Sequence, residues 1–391
     1  MRNLLKSGIL LLLGILALSV TACKKEEDDD SGMPAAKPVP EKTVVTKTVT
    51  FIVDKKIYKT QTVEENKTVV KPEHPKKDGF YFIGWYTSSD NGEHLATRKY
   101  DFNTAITQDL KLYAKWSEFE LLRGNAISVV LTIPELTKSR YVCIEGKLSP
   151  ELLKDIATEI KDKSFEFSLD LTETTGLERI EESSFSVCKN LSFINMPSGI
   201  TSIGKYAFAD CTGLTTMNIP DGVTSIGEHA FGHCRNLTMI TIPNSVTSIG
   251  EFAFSTCTSL TTINIPDSVT SIGEYTFTGC SSLTTISIPS TVTSISFSSF
   301  LDCTSLTTIN IPDSVTSIES QAFNNCRSLT TINIPSSVTK IGKSVFVKCT
   351  NLASITFAGT KVQWNAIIFG ESWNGNAPAT VVHCSDGDVT L

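Results

Sequence analysis

Cysteine is the residue type that first invites chemistry here. One returns every 23 residues, at Cys188, Cys211, Cys234, Cys257, Cys280, Cys303, Cys326 and Cys349. Thiolates at tetrahedral corners hold zinc, and thiols in bonding reach form disulfides. The constant interval argues against both. Residues one repeat apart in a stack form a straight column, which cannot surround a single ion. Parallel Cβ atoms at the strand spacing of about 4.8 Å also overshoot the roughly 3.8 Å of a disulfide. The column is expected to be made of small buried hydrophobes, with oxidised neighbours as the alternative. Cys143 and Cys384 fall outside it, and their pairing is open. His229 and His233, four apart and beside Cys234, have a spacing that would suit a metal on a helix. Sister repeats hold Tyr, Phe, Asp, Thr or Gly at those places and no third ligand follows, so neither metal nor cofactor is expected. His74, His94 and His383 are isolated. G-x-S-x-G, H-E-x-x-H, G-x-G-x-x-G and the P-loop are all missing from the sequence, and the acids scatter without pairing. No enzyme is expected.

The phrase around each cysteine shows what must position it. Leu260-Thr-Thr-Ile263-Asn-Ile265-Pro266-Asp-Ser-Val269-Thr-Ser-Ile272-Gly273-Glu-Tyr275-Thr-Phe277-Thr-Gly-Cys280 recurs coil after coil. A fixed period of this length predicts a solenoid. Leu-x-x-Ile-x-Ile is the alternation of a short strand with one face inward, and the proline after it removes a ladder donor and ends the strand. Val223, Ile226, Phe231 and Cys234 complete the inward set of their coil. One repeat buries too little apolar surface to order itself, so stacking on neighbours must supply the stability.

With those residues in place, Ile-Pro-x-Ser-Val-Thr-Ser-Ile-Gly-Glu-x-x-Phe-x-x-Cys resembles the leucine-rich repeat of the BspA type, found in bacterial surface proteins, over about Phe165 to Leu391. The resemblance implies an α/β-type repeat solenoid, curved and right-handed, with a parallel sheet on one face and a binding rather than catalytic role. Ser296 and Glu319 depart from it, standing where Gly204, Gly227, Gly250, Gly273 and Gly342 stand. That station therefore cannot strictly require a positive φ.

The 391 residues carry a net charge of −7 and are 19% charged. They leave room for two or three domains, and no basic stripe suggests nucleic acid. Residues 1–22 read as an export signal, with Arg2 and Lys6 before the apolar run Ile9 to Val20. Val20-Thr21-Ala22-Cys23 resembles the lipobox of bacterial lipoproteins, which implies lipid on Cys23. The membrane is then met only through that lipid, and the resemblance implies the bacterial outer membrane with the protein exposed at the cell surface. Residues 23–47 have the composition of a flexible linker, with acids from Glu26 to Asp30 and prolines at 34, 38 and 40. Solvated chain explains such a run, and it also resembles a surface-export signal.

Residues 48–117 alternate apolar and polar positions between turn signals at Asp78-Gly79 and Asn91-Gly92, predicting a small β-rich domain. Gly79-Phe80-Tyr81-Phe82-Ile83-Gly84-Trp85-Tyr86, Tyr100-Asp101-Phe102 and Leu110-Lys-Leu112-Tyr113-Ala114-Lys115-Trp116 resemble the listerial internalin B-repeat, which implies a β-grasp-like fold and a spacer or accessory adhesive role. Trp85, Tyr86, Tyr113 and Trp116 are expected in its core rather than on a sugar platform. Residues 118–164 are assigned to a linker and N-terminal cap, with strands at Ile127–Ile133 and Tyr141–Ile144. Ser149-Pro150-Glu151 opens a helix whose Leu152, Leu153, Ile156 and Ile160 share a face. The solenoid is assigned to 165–350 and a C-terminal cap with Trp364 and Trp373 to 351–391.

Two surfaces are candidates for a partner. On the strand face most outward positions carry Thr, Asn or Ser, but Phe193 and Met239 place apolar groups there. A second column, Tyr206, His229, Phe252 and Tyr275, continues as Ser298, Gln321 and Ser344 and is expected to be half exposed. The family resemblance suggests adhesion to host matrix or plasma proteins, or to other bacteria. The alternative is a structural surface protein that associates laterally with itself.

Overall fold

The computed structural model describes residues 44–78, 80–93, 95–117, 121–125, 128–129, 132 and 140–391. The export signal, Cys23 and the linker up to residue 43 lie outside the described residues.

Five strands form the first module: β1 (Thr46–Val53), β2 (Lys56–Glu64), β3 (Tyr81–Ser88), β4 (Leu95–Lys99) and β5 (Leu110–Ser117), in the order β2-β1-β5-β3-β4. β1 and β5 run parallel at the centre and the other pairs are antiparallel, the strand arrangement expected of a β-grasp-like sheet. Asp54 and Lys55 join β1 to β2 with φ of 46° and 65°, as a two-residue hairpin demands. Phe51, Phe82, Trp85 and Leu112 fill the core, where Phe51 meets Trp85 edge-on at 5.0 Å. Trp85 and Tyr113 are buried as expected, and Trp116 packs against the same core. Tyr86 is buried too, but in a different cluster.

The stack of parallel rungs begins earlier than expected. β6 (Leu121–Asn125), β7 (Arg140–Lys147) and β8 (Phe167–Thr175) pair in parallel and are followed by Leu191–Asn195. Among the described residues of Ile127–Ile133 the expected strand does not form. Ser128, Val129 and Thr132 are helical there, because Asn125 Oδ1 accepts from the Ser128 amide at 3.0 Å and starts a turn. The strand expected over Tyr141–Ile144 lies within β7. Helix α1 (Pro150–Lys161) has Ser149 as its N-cap and buries Leu153, Ile156, Ala157 and Ile160 against the first coils. Asn190 Nδ2 closes its far end on the carbonyls of Ile160 and Lys163.

Each regular coil is then a strand, a turn in which the proline carbonyl accepts from the valine three residues on, a two-residue strand and a tight double turn. Val223 N to Pro220 O at 3.0 Å is one such turn. Both strand lines pair one repeat apart, as in Thr285↔Thr308 and Ser225↔Ser248. Inside, Phe185, Phe208, Phe231, Phe254, Phe277, Phe300, Phe323 and Phe346 form a continuous stack with centroids 5.2–5.8 Å apart. The cysteines are fasteners as well as filler. From Cys211 to Cys349 each Sγ donates to the phenylalanine carbonyl of the preceding coil at 3.0–3.2 Å. Every described cysteine is a free thiol, so the oxidised alternative is not adopted. Burial pushes the thiols of Cys188, Cys234, Cys280 and Cys349 up to about 12. Threonine hydroxyls bridge the rungs too, as Thr247 Oγ1 does to Thr224 O at 3.2 Å.

The repeated glycine answers to space. None of Gly204, Gly227, Gly250, Gly273 and Gly342 has a positive φ, but a Cβ on any of them would come closer than 3.0 Å to backbone of the preceding coil. Where Ser296 takes this place the second strand line breaks: Arg179–Ile180 through Ser271–Ile272 form one sheet and Ser294–Ile295 starts another. The Ser296 hydroxyl, rather than its amide, then bonds Ile272 O. Glu319 keeps the amide bond to Ile295 O at 2.8 Å, on a coil whose predecessor already carries Ser296.

At the C-terminus, Thr360 and Gln363 make a capping box for α2 (Lys361–Asn365), which buries Trp364. Trp373 meets Phe346 edge-on at 6.1 Å and ends the phenylalanine stack. Val381–Cys384 adds a parallel rung, and Gly387–Thr390 folds back antiparallel on it. Both tryptophans therefore cover the last coil.

Candidate partner-binding surfaces

Tyr206, His229, Phe252 and Tyr275 are gathered into one column by an uncommon backbone. All four sit in the left-handed region, with φ of 52–56°, a conformation that costs non-glycine residues about 1–2 kcal/mol. Backbone hydrogen bonds on both sides hold them there. Each amide donates to the next coil (Tyr206 to Glu228 O, His229 to Glu251 O, Phe252 to Glu274 O, Tyr275 to Phe297 O, at 2.9–3.0 Å). Each carbonyl accepts from the residue three further on, as Tyr206 O does from Ala209 at 3.1 Å. With the backbone pinned, the rings stack: Tyr206 on His229 at 4.9 Å, His229 on Phe252 at 4.4 Å and Phe252 on Tyr275 at 4.4 Å, all within 19° of parallel. Such pairs return about 0.5–1.5 kcal/mol each. Lys205 Nζ lies 5.1 Å from the Tyr206 ring centre at one end, and Phe297 stands edge-on to Tyr275 at 5.1 Å at the other.

All four rings are half-buried. Burial lowers the His229 pKa, against the pull of Glu228 and Glu251 and with the help of His233 and Lys205. Gly232 makes room for this imidazole, since a Cβ there would lie 3.2 Å from Nδ1. Of the positions that continue the column, Gln321 and Ser344 are half-buried, whereas Ser298 is fully buried with its hydroxyl unbonded.

Phe193 and Met239 do not join this column or each other. Phe193 packs on a buried cluster of Ile83 and Tyr86 from the module with Tyr141 and Cys143 from β7. Lys115 Nζ lies 4.8 Å from the Tyr86 ring centre and 5.5 Å from that of Phe193, and burial lowers its pKa. Beneath, Tyr141 Oη donates to Asp170 Oδ2 at 3.3 Å, and the Thr172 amide and hydroxyl bond Oδ1 of the same carboxylate. Burial, then the Asp170 charge, raises the Tyr86 pKa. Lys71 reaches Glu173 at 2.7 Å beside a cleft of about 240 Å³. The module is thus fastened to the first rungs, with β4 running against Thr216–Asn218. Met239, 45% exposed, is the neighbour of Thr216 on the next rung. Beyond it the strand face carries Thr262 and Asn264, Thr285 and Ser287, Thr308 and Asn310, and Thr331 and Asn333, all exposed and uncharged, and continues to half-buried Ser354 and Thr356 and exposed His383.

Sequence reasoning missed the module contact, for which no motif exists, and Phe297, which breaks a run of charged residues with a ring. Among the described residues no group of three or more His, Cys, Asp and Glu is placed to hold a metal. No described helix is long and apolar enough to cross a membrane.

Residues 158–284 and 270–374 match the BspA type leucine rich repeat region, in six copies, and residues 48–115 match the Listeria-Bacteroides repeat domain. A protein of Evansella cellulosilytica named as a putative membrane protein is 35% identical over 74 residues, which are 17% of this chain and 10% of that relative. This chain therefore spans about a tenth of it. Among solved structures, a leucine-rich repeat protein from Bacteroides ovatus is 30% identical, with 56% of this chain and 55% of that one covered and a TM-score of 0.49. A leucine rich cell surface protein from Faecalibacterium prausnitzii is 24% identical, with 76% and 98% covered and a TM-score of 0.39. The T. pallidum leucine rich repeat protein is 27% identical, with 52% and 88% covered and a TM-score of 0.39.

Proposed function

The chain belongs to the BspA-type leucine-rich repeat family of bacterial surface proteins, and from that premise we propose that it is a lipid-anchored adhesin. Cys23 carries the lipid at the outer membrane, the acidic and proline-rich linker holds the folded part away from the bilayer, and the solenoid meets proteins outside the cell. Those partners are host matrix or plasma proteins, or the surfaces of other bacteria. No reaction is assigned to it, since solenoids of this kind are generally binding scaffolds.

The observation that carries this reading is the ring column. Rigid, half-exposed Tyr and Phe side chains are the types that concentrate binding energy at protein interfaces. Their backbone is held on both sides, so a partner does not have to order them. The test is a binding screen of residues 45–391 against immobilised matrix and plasma proteins, with Tyr206→Ser, Phe252→Ser and Tyr275→Ser combined in one variant. Serine already occupies this station at Ser298 and Ser344 with φ of 50° and 56°, so the variant is expected to fold and to lose at least tenfold in affinity. Undiminished binding by a folded variant would remove the column from the interface.

A further inference from the structure

Resting on the reading of the ring column as a contact surface, we propose that it takes up a second copy of this chain through that copy's basic β1–β2 hairpin. The column has charge beside it. One residue before the four rings stand Lys205, Glu228, Glu251 and Glu274, of which Lys205 and Glu228 pair at 2.7 Å. Glu251 and Glu274 are exposed, and their carboxylates take no hydrogen bond or ion pair among the described residues. They stand one rung apart, about 4.8 Å, so the two charges repel, and a cation set between them relieves that repulsion.

The rings select a particular kind of guest. Their faces are consumed by stacking at 4.4–4.9 Å, which leaves the edges for a partner. Ring edges are electropositive, so the cation belongs with the carboxylates and the edges are left for apolar carbon. A matching segment therefore combines ammonium groups with exposed apolar side chains at close spacing.

The hairpin of this chain is such a segment. Lys55, Lys56 and Lys59 are exposed and without a partner among the described residues, while Ile57 between them is 71% exposed and Tyr58 42%. β2 is an edge strand of its sheet. Lysines on such an edge discourage strand-to-strand pairing, which leaves contact through side chains. Because column and hairpin are different surfaces, the contact is head-to-tail and builds rings or open arrays instead of a closed two-fold dimer.

Sedimentation velocity of residues 45–391 over a concentration series, at ~50 mM and ~500 mM salt, tests this. Association is expected at low salt, weakened at least tenfold at high salt. Glu251→Lys with Glu274→Lys in one variant, and Lys56→Glu with Lys59→Glu in another, should each associate at least tenfold more weakly alone. Mixed together they should recover, since each then finds its opposite. A chain that stays monomeric throughout, or association indifferent to both reversals, overturns the proposal. If the triple serine variant still loses binding to a matrix protein in that case, the column remains an interface and only the self-docking falls.

Discussion

Gly250→Ala puts the packing of coil on coil to a quantitative test. The added Cβ would lie 2.6 Å from Glu228 N, 2.8 Å from Gly227 C and 3.0 Å from Glu228 Cα. These are all backbone atoms, so no side chain can step aside and the two coils must part. The contacts that hold them at this edge are Gly250 N to Ile226 O and Thr247 N to Thr224 O, both 2.9 Å. Losing two such bonds removes about 1–3 kcal/mol at roughly 0.5–1.5 each. Overpacking adds about 1–3 kcal/mol, and the lower chain entropy of unfolded alanine returns about 0.4–1 kcal/mol. The expected loss is about 3 kcal/mol, read from urea unfolding of residues 45–391, with amide exchange at Thr247 and Gly250 speeding up first. The same chain carries an internal comparison, because at Ser296 a natural Cβ already coincides with a broken rung. Glu319→Gly, at a rung that holds despite its side chain, should cost about 1–2 kcal/mol, the ordinary cost of glycine together with the loss of the contacts to Lys340 at 2.8 Å and Ser317 at 2.9 Å. A Gly250→Ala protein as stable as the parent, with unchanged exchange, would show that close approach is not why glycine stands at this station.

Two further outcomes follow from buried groups. At pH 8 a disulfide reagent should titrate Cys384, which is half exposed, while the column thiols and Cys143 react only as the protein unfolds. Rapid native labelling of Cys257 or Cys280 would contradict the raised pKa that burial gives both. His229 has its pKa lowered, chiefly by burial, so below the ordinary imidazole value of about 6.5 the unfolded chain binds a proton that the folded chain refuses. Its stabilising contribution is complete above that pH and is lost as pH falls through it toward the folded value. His229→Phe should therefore flatten the decline in unfolding midpoint below pH 6.5 and leave the profile above pH 7 parallel to the parent. Profiles parallel throughout would refute the assignment.

Much of the solenoid was legible because its signal is repetition. The 23-residue interval, the inward Ile, Val, Phe and Cys and the capping helix opened by Ser149-Pro150 all rest on local chemistry that a sequence displays. β6 was not legible, and β7 was legible only as the strand over Tyr141–Ile144 and not as a rung, since Leu121–Asn125 and Arg140–Lys147 lack the repeat phrase and join the stack only as β6 pairs with β7 and β7 with β8. The left-handed stations were hidden for another reason. Asp210 and Asn325 suit a positive φ, but Tyr206, Phe252 and Gln321 share the geometry without any intrinsic preference for it. There, hydrogen bonds to the next coil outweigh the residue's own tendency. The hydroxyl and thiol fasteners looked like solubilising or merely space-filling residues, because a column of Thr or Cys reads alike whether its polar atoms face water or the carbonyl one rung back. Of the candidate positions, Tyr206, His229, Phe252 and Tyr275 stand in the one column that their common place in the repeat predicts. Phe193 could not be read correctly from one strand, since its neighbours are Tyr141 and Cys143 of β7 and Ile83 and Tyr86 of a module roughly a hundred residues away in sequence.

The closing hairpin of Val381–Cys384 and Gly387–Thr390 turns the last parallel edge antiparallel, and α1 covers the first coils. A stack covered on both sides in this way can gain or lose a coil from within. Removing residues 260–282 would join Ser259 to Leu283 in register, leave either terminus untouched and draw the tip in by about 4.8 Å. The stack thus works as a ruler graduated in whole coils, and how far it extends can change by duplication or deletion without inventing a new end.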